Sequence, residues 1–514
     1  MVTLLIKNVQ LIDGTCRPPV KADVLIKNKK ISAIGSFSKR WADEVIDGLG
    51  AYLSPGFIDI NTDSDHYLTL FSNPGQQDFL LQGVTTIIGG QCGASLAPLV
   101  YGSLDSISEW TSTNKVNVNW HTVKEFLDTL GQQPLGVNFG TLVGHNTIRQ
   151  ALTGGSLRDL SRNELRVFTL ILDRALREGA FGFSTGLGYA NVRQTPYSEV
   201  KALVEITAKH KKFYATHLRN EKRGLLASVN ETIEIAKETG AKILISHFRP
   251  LIGSVRDYDY ALELIDKNAN KADIYFDLCP LDSSNVLVYT LLPDWAQEGN
   301  KAVMLKDMQA PGLKEKIIRE LPAFKGEEMI IVNAPNHEYL EGKSLKEFSQ
   351  NRDLNIREGL LNLMKLTNFR AVVFYKNVDL KKVIKVLSHN RAIMASNSAS
   401  FTPLETLSLT GFGERKGLGK NIRVRPLTYA FTKFLELAEK EKILPIETAI
   451  YKITGLPAKK LNISYRGIVR ENYFADLVIF RDAEIKEVIV NGKRVVKDGK
   501  FQNILAGEIL KHEA

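Results

Sequence analysis

Two kinds of hydrophobic pattern divide the chain. The first 55 residues run in short alternating segments, LLIKNVQLIDGT and ADVLIKNKKISAIG, and end at Pro55-Gly56. Alternation broken by turn residues predicts a small β unit. The tail has the same texture. ADLVIF (475–480) and EVIVNGKRVVKDGKF (487–501) carry Asn491-Gly492 and Asp498-Gly499, both hairpin signals. Chain termini often lie close together, so both ends are expected to build one small β-sandwich.

Between these ends the runs become short and almost wholly apolar: GFIDI (56–60), GVTTIIGG (83–90), VNFGTLVG (137–144), GAFGFSTG (179–186), FYATHL (213–218), AKILISHF (241–248), ADIYFDL (272–278) and RAIMASN (391–397). Such runs fit parallel strands buried on both faces. Helical stretches separate them. Ser161-x-x-Glu164 predicts a capped helix with Phe168, Leu172, Ala175 and Leu176 inward, and Ser228-x-x-Glu231 predicts the start of another. Eight strands alternating with helices predict an α/β fold of the (β/α)8 TIM-barrel type; an open doubly wound sheet is the alternative. Residues 279–390 are too long for one connecting helix and predict an inserted subdomain, about 280–350. The expected division is 1–55 and 466–514 for the sandwich, 56–415 for the barrel with its insert, and 416–465 for closing helices.

Composition narrows the class. The chain has 514 residues, 44% hydrophobic and 24% charged, which is globular and excludes a disordered or fibrous chain. Only three cysteines argue against a disulfide scaffold and for a reducing compartment. No run of 18 apolar residues occurs, and Lys7, Asn8 and Asp13 interrupt the N-terminus too early for a signal-peptide core. The expected location is cytoplasmic, without membrane partners. The net charge of +10 comes from scattered Lys and Arg with no nucleic-acid motif, so nucleic acid is not an expected partner.

In a barrel, chemistry sits at the carboxyl ends of the strands. There the sequence places Asn61-Thr62-Asp63-Ser64-Asp65-His66, then Cys92, His145, His217 through Glu221, His247 and Asn397. Cys92, His217 and His247 are one thiol and two imidazoles, a donor set suited to Zn²⁺. Asp63 or water would complete the coordination. Taken singly, Cys92 reads as a small core residue and each histidine as a satisfied core group. Cys16 and Cys279 read as structural.

The motifs at these positions resemble the amidohydrolase superfamily, and within it the N-acyl-D-amino-acid deacylases, or D-aminoacylases. The matching stretches are Pro55-Gly56-Phe57-Ile58-Asp59, Gly83-Val84-Thr85-Thr86, Gln91-Cys92-Gly93-Ala94-Ser95-Leu96-Ala97-Pro98, Leu142-Val143-Gly144-His145, GAFGFSTGLGY (179–189), Thr216-His217-Leu218-Arg219-Asn220-Glu221 and Ile245-Ser246-His247. Leu340 to Leu345 and Thr454 to Ala458 also match. The resemblance implies hydrolysis of the amide of an N-acyl amino acid, with Cys92, His217 and His247 holding the tight zinc. It also implies a second, weaker metal position lined by a His-x-His on the first strand and an aspartate on the eighth, which serves as general base.

This sequence departs from that pattern. Asn61 and Asp63 replace the two histidines, and Asn397 replaces the aspartate. Cys279-Pro280-Leu281 stands where a tyrosine-rich segment would supply a phenol to the substrate carbonyl. The expectation is therefore one Zn²⁺ per chain, with Asp63 as replacement base or ligand and Asp65 as the other option. Asn61, Asp65, His66, His145 and Asn397 are expected around the site without binding the metal. Arg425 (with Arg423 beside it) and Ser284 are the candidates for substrate contacts. Arg219 and Glu221 are read either as substrate contacts or as an ion pair with each other. Two functions follow: a single-zinc hydrolase of a C–N bond in a small N-acylated compound, or a catalytically impaired relative that acts as a binding or structural protein. Oligomerisation is left open.

Overall fold

The computed structural model describes residues 3–39, 42–113, 116–400 and 429–513. Five strands open the chain: β1 (Thr3–Leu11), β2 (Val20–Lys27), β3 (Lys30–Gly35), β4 (Glu44–Asp47) and β5 (Tyr52–Pro55). The central region contributes β6 (Phe57–Asp59), β7 (Val84–Gly89), β8 (Asn138–Thr141), β9 (Val143–Gly144), β10 (Gly182–Gly186), β11 (Phe213–His217), β12 (Lys242–Ile245) and β13 (Ile274–Leu278). Then come β14 (Ser284–Leu287), β15 (Met329–Asn333), β16 (Val372–Tyr375) and β17 (Ala392–Met394). The last four are β18 (Leu477–Arg481), β19 (Glu484–Val490), β20 (Lys493–Lys497) and β21 (Lys500–Phe501).

The two chain ends do meet. β5 pairs antiparallel with β18, joining them in one nine-stranded sheet. Both predicted hairpins form. Asn491 (φ 48°) and Gly492 (φ 77°) turn β19 into β20, and Asp498 (φ 49°) and Gly499 (φ 71°) turn β20 into β21. Consecutive positive φ values are what Asn-Gly and Asp-Gly supply at least cost.

All eight apolar runs contain strands, and the strands pair in parallel. They form one sheet of β6-β7-β8 and another of β9-β10-β11-β12-β13-β17. The third run is split at Leu142, between β8 and β9, where the Leu142 N–H donates to Gly89 O at 3.0 Å. β17 reaches β6 through one parallel bridge, Thr62 to Ser398, with Asn397 N donating to Asn61 O at 3.0 Å and Asp63 N to Ser398 O at 2.8 Å. No unbroken eight-stranded ladder runs among the described residues. The strand order, the parallel sense and the intervening helices still make this an α/β fold of parallel strands.

The helix Arg162–Arg177 starts where the sequence predicts, with the reciprocal Ser161–Glu164 box formed and Phe168, Leu172, Ala175 and Leu176 buried. The second predicted start is corrected. The helix is Leu225–Thr239, capped by Gly224, and Ser228 lies in its first turn. The Ser228 hydroxyl donates to Gly224 O and accepts from Asn220 N, both at 3.0 Å. Its Glu231 is taken by Arg219 instead of closing a box.

Between β13 and β17, β14-β16-β15 form an antiparallel sheet with its own apolar core, which extends from Val286 to Val373. This region lies over the strand ends. The C-terminal segment runs alongside β8, where Phe139 N donates to Glu508 O and Leu510 N to Phe139 O in a parallel bridge. Among the described residues, no helix is long and apolar enough to cross a membrane.

Candidate metal centre

Three strand ends deliver the donors. Cys92 follows β7, His217 closes β11, and His247 follows β12. Cys92 (φ 50°) and His247 (φ 39°) both occupy the left-handed region, as does Asn397 (φ 50°) after β17. Non-glycine residues there carry strain of about 1–3 kcal/mol each, and such strain collects at functional sites. Here it turns side chains out of the strand alternation toward a common point. Gly188 is required for space, because a Cβ at that position would lie 2.5 Å from His217 Nε2.

One donor atom from each of Cys92, His217 and His247 lies within 4.8 Å of the others. Cys92 Sγ is 3.5 Å from His247 Nε2, and the two imidazole rings stand nearly perpendicular with centroids 4.4 Å apart. His247 Nδ1 pairs with Glu221 Oε1 at 2.9 Å, and Glu221 Oε2 accepts from Arg249 at 3.1 Å. Burial works against the charge on Glu221, but Arg249 and His247 outweigh it and hold the carboxyl well below its usual range. The Glu221 contact on Nδ1 orients the His247 ring so that Nε2 faces Cys92. Burial, then the neighbouring His247, pushes His217 down to about 3, so the His217 ring is neutral. His217 Nδ1 is buried without a partner. Burial and the carboxylates of Asp63 and Asp277 push the Cys92 thiol well above its ordinary value. A thiolate here therefore needs a cation beside it, and two imidazoles plus one such thiol form a set that fits Zn²⁺.

The trio faces a cavity of about 320 Å³ whose wall also includes Asp63, Trp110, Tyr189, Arg193 and Asn397. Asp63 is 8% exposed, and its Oδ1 is 3.2 Å from His66 Nδ1. The other expected residues sit behind this surface. Asp65 is buried and accepts from Gly90 N at 2.6 Å. His66 Nε2 contacts Ala94 O at 3.0 Å while its ring stacks on Trp110. Burial opposes charge on His66, but Asp65 and Asp63 raise it to about 9. His145 pairs with Glu199 at 2.9 Å, in a buried cluster with Arg149. Asn61 donates to both oxygens of Asp277, at 3.3 and 3.1 Å. Ser284 donates to Asn377 at 2.7 Å, and its neighbour Asn285 lines the cavity. Arg423 and Arg425 lie outside the described residues.

Arg219 and Glu221 do not pair with each other, which corrects that expectation. Past the end of β11 the chain leaves strand geometry, and Arg219 turns back to Glu231 at 2.7 Å while Glu221 turns in to His247. Sequence reasoning also missed Asp277 and Asp59. Asp277 accepts from His247 N at 2.9 Å, and burial pushes it to about 6. Asp59 accepts from the backbone N–H groups of Asn61 and Ser396, and burial pushes it to about 7. The available signal was a carboxylate inside each of two otherwise apolar runs. Tyr189 lay within a matched motif; Trp110 had no signal at all.

The pattern of the Amidohydrolase family matches residues 110–495. The chain belongs to the amidohydrolase family. Its relatives within that family include D-aminoacylases. It is 27% identical to the D-aminoacylase of Alcaligenes xylosoxydans xylosoxydans over 99% of this chain and 98% of the relative. A solved D-aminoacylase, described by one-metal activation and second-metal attenuation of its binuclear centre, superposes with a TM-score of 0.78 at 25% identity over 99% of each chain. An N-acyl-D-glutamate deacylase from Bordetella bronchiseptica, complexed with zinc and a phosphonate inhibitor, shares the fold with a TM-score of 0.78 at 22% identity, also over 99% of each.

Proposed function

We propose that this chain is a metal-dependent hydrolase of the amide bond in small N-acyl amino acids, working with one Zn²⁺ per chain at Cys92, His217 and His247. The carrying observation is the convergence of one thiol and two imidazoles within 4.8 Å, in the wall of a cavity that also holds Asp63. The substrate class comes from the relatives, which act on N-acyl-D-amino acids by name. The single ion draws support from the relative in which one metal activates and a second attenuates. It also draws on Asn61, whose amide is already bonded to Asp277.

When bound, the cation supplies Lewis acidity toward the acyl carbonyl and the attacking water. The remaining steps belong to the protein. Asp63 accepts a proton as water adds to the carbonyl carbon, and returns it to the nitrogen as the C–N bond breaks, giving a carboxylate and a free amine. Burial pushes the Tyr189 phenol well above its usual value, so it stays protonated beside Cys92 and can donate to the carbonyl oxygen. Glu221 keeps His247 oriented. Arg425, together with Arg193 and Lys376 of the cavity wall, is proposed to meet the amino-acid carboxylate. In this reading the eight strands are a (β/α)8 barrel closed at Thr62 and Ser398. The terminal sheet is the sandwich of 1–55 and 466–514, and the setting is the cytoplasm.

A second reading, a catalytically impaired binding protein, is favoured by Asn397, which has no proton-accepting carboxylate at the eighth strand end. One experiment separates them. Metal content is measured in the wild type and in Cys92→Ala, and N-acyl-D- and L-amino acids are screened for release of free amine. Zinc bound by the wild type alone, with turnover that Asp63→Asn removes, supports the hydrolase. Metal-loaded protein with no turnover on any acylated substrate supports the second reading.

A further inference from the structure

A second cavity, about 310 Å³, lies on the other side of Trp110. The two cavities share Cys92, Trp110, Tyr189 and Leu287, so they meet at the metal ligands. Their linings differ. The first is lined by charges of both signs, Arg193, Arg219, Lys222, Arg249 and Lys376 against Asp63, Glu221, Asp294 and Glu328. Apolar atoms dominate the second, with Ala190, Val192, Leu287, Tyr289 and Met304 among its walls. Its charged residues are already matched: Glu109 pairs with Lys301, and Arg149 donates to Glu199 at 3.0 Å and to Arg158 O at 2.8 Å.

We infer that the second cavity is the acyl-chain subsite, and that the preferred substrates carry an acyl group of several carbons rather than acetyl. This rests on the amide-hydrolase reading and goes beyond it by naming the acyl part. An N-acyl amino acid has an anionic half and an apolar half joined at the scissile amide. The two cavities repeat that division, with the junction at Cys92. The Trp110 ring forms the partition. Its centroid is 5.8 Å from Tyr189 and 5.4 Å from His66, and its backbone is held from the inserted region by Asn333, which donates to Trp110 O at 2.9 Å. A volume of 310 Å³ equals the space of roughly ten waters, so an acetyl methyl would leave most of it unfilled. Each methylene moved from water into an apolar cavity strengthens binding about fourfold.

The test is a series of N-acyl-D-leucines from acetyl to decanoyl on zinc-loaded protein. The wild type is expected to gain about fourfold in kcat/KM per methylene until the cavity fills, roughly 100-fold or more from acetyl to hexanoyl. Ala190→Leu and, separately, Leu157→Trp narrow the cavity, and each should collapse the hexanoyl-to-acetyl ratio toward one, with zinc content and far-UV dichroism reporting the fold. A flat chain-length profile, or a steep one that neither narrowing variant changes, overturns the inference. If no N-acyl compound turns over, the hydrolase reading fails and calorimetric binding of the same series decides the subsite. Tighter binding of hexanoyl than of acetyl keeps it, and equal binding removes it.

Discussion

Glu221 Oε1 lies 2.9 Å from His247 Nδ1, and this contact determines which nitrogen of His247 faces Cys92. A carboxylate behind a ligating histidine raises its basicity and locks its ring, and removing such a partner commonly weakens metal binding 10–100-fold. Glu221→Gln keeps the shape and removes the charge. Its zinc affinity, measured by competition with a chromophoric chelator, is expected to fall by about that factor. An unchanged affinity would show that the charge of Glu221 is not needed to hold the ring.

Gly188 is expected to be equally sensitive for a steric reason. A methyl group there would meet His217 Nε2 at 2.5 Å and His217 Cδ2 at 2.8 Å, so the ring must move. Gly188→Ala should therefore weaken zinc binding while leaving the metal-free protein folded. Chelator competition alongside thermal unfolding of the chelated form checks both halves. A metal affinity equal to wild type would mean the ring has room to rotate without leaving the trio.

Much of this was legible in the sequence because apolar runs and ligand types are local signals. The eight runs, the Asn491-Gly492 turn and the Cys92, His217 and His247 positions each needed only a few neighbouring residues. What was illegible depends on partners distant in sequence. Glu221 and Arg219 are two residues apart, yet one faces His247 and the other Glu231, and no spacing rule assigns those directions. Asp277 reads as an exception in an apolar strand until His247 and Asn61 are seen beside it. Trp110 comes from an irregular connection, and its ring is placed by His66 and Tyr189, both distant in sequence.

Asp59 gives a pH-dependent stability prediction with a definite sign. Burial raises it to about 7 from an ordinary 3.8, so the folded state binds its proton more tightly than the unfolded chain does. Its stabilising effect is complete below about pH 4 and is lost as pH rises toward 7. Between those values one such group imposes a slope of at most about 1.4 kcal/mol per pH unit. Urea unfolding of chelated protein across pH 4–7 should show stability that declines less steeply with rising pH in Asp59→Asn than in the wild type. Parallel curves would remove Asp59 from this role.

Asp63 carries the last expectation. Its carboxylate lines the cavity of the trio, whereas Asp65 is buried against Gly90 N and Asn397 cannot accept a proton at neutral pH. If Asp63 moves the proton, Asp63→Asn should lower kcat by about 10²–10⁴ while zinc content stays at the wild-type level, because the asparagine preserves size and polarity but not basicity. Loss of zinc together with activity would instead make Asp63 a ligand. Retained activity would place the proton acceptor elsewhere, and Asp65→Asn measured in parallel tells whether the neighbouring carboxylate takes over.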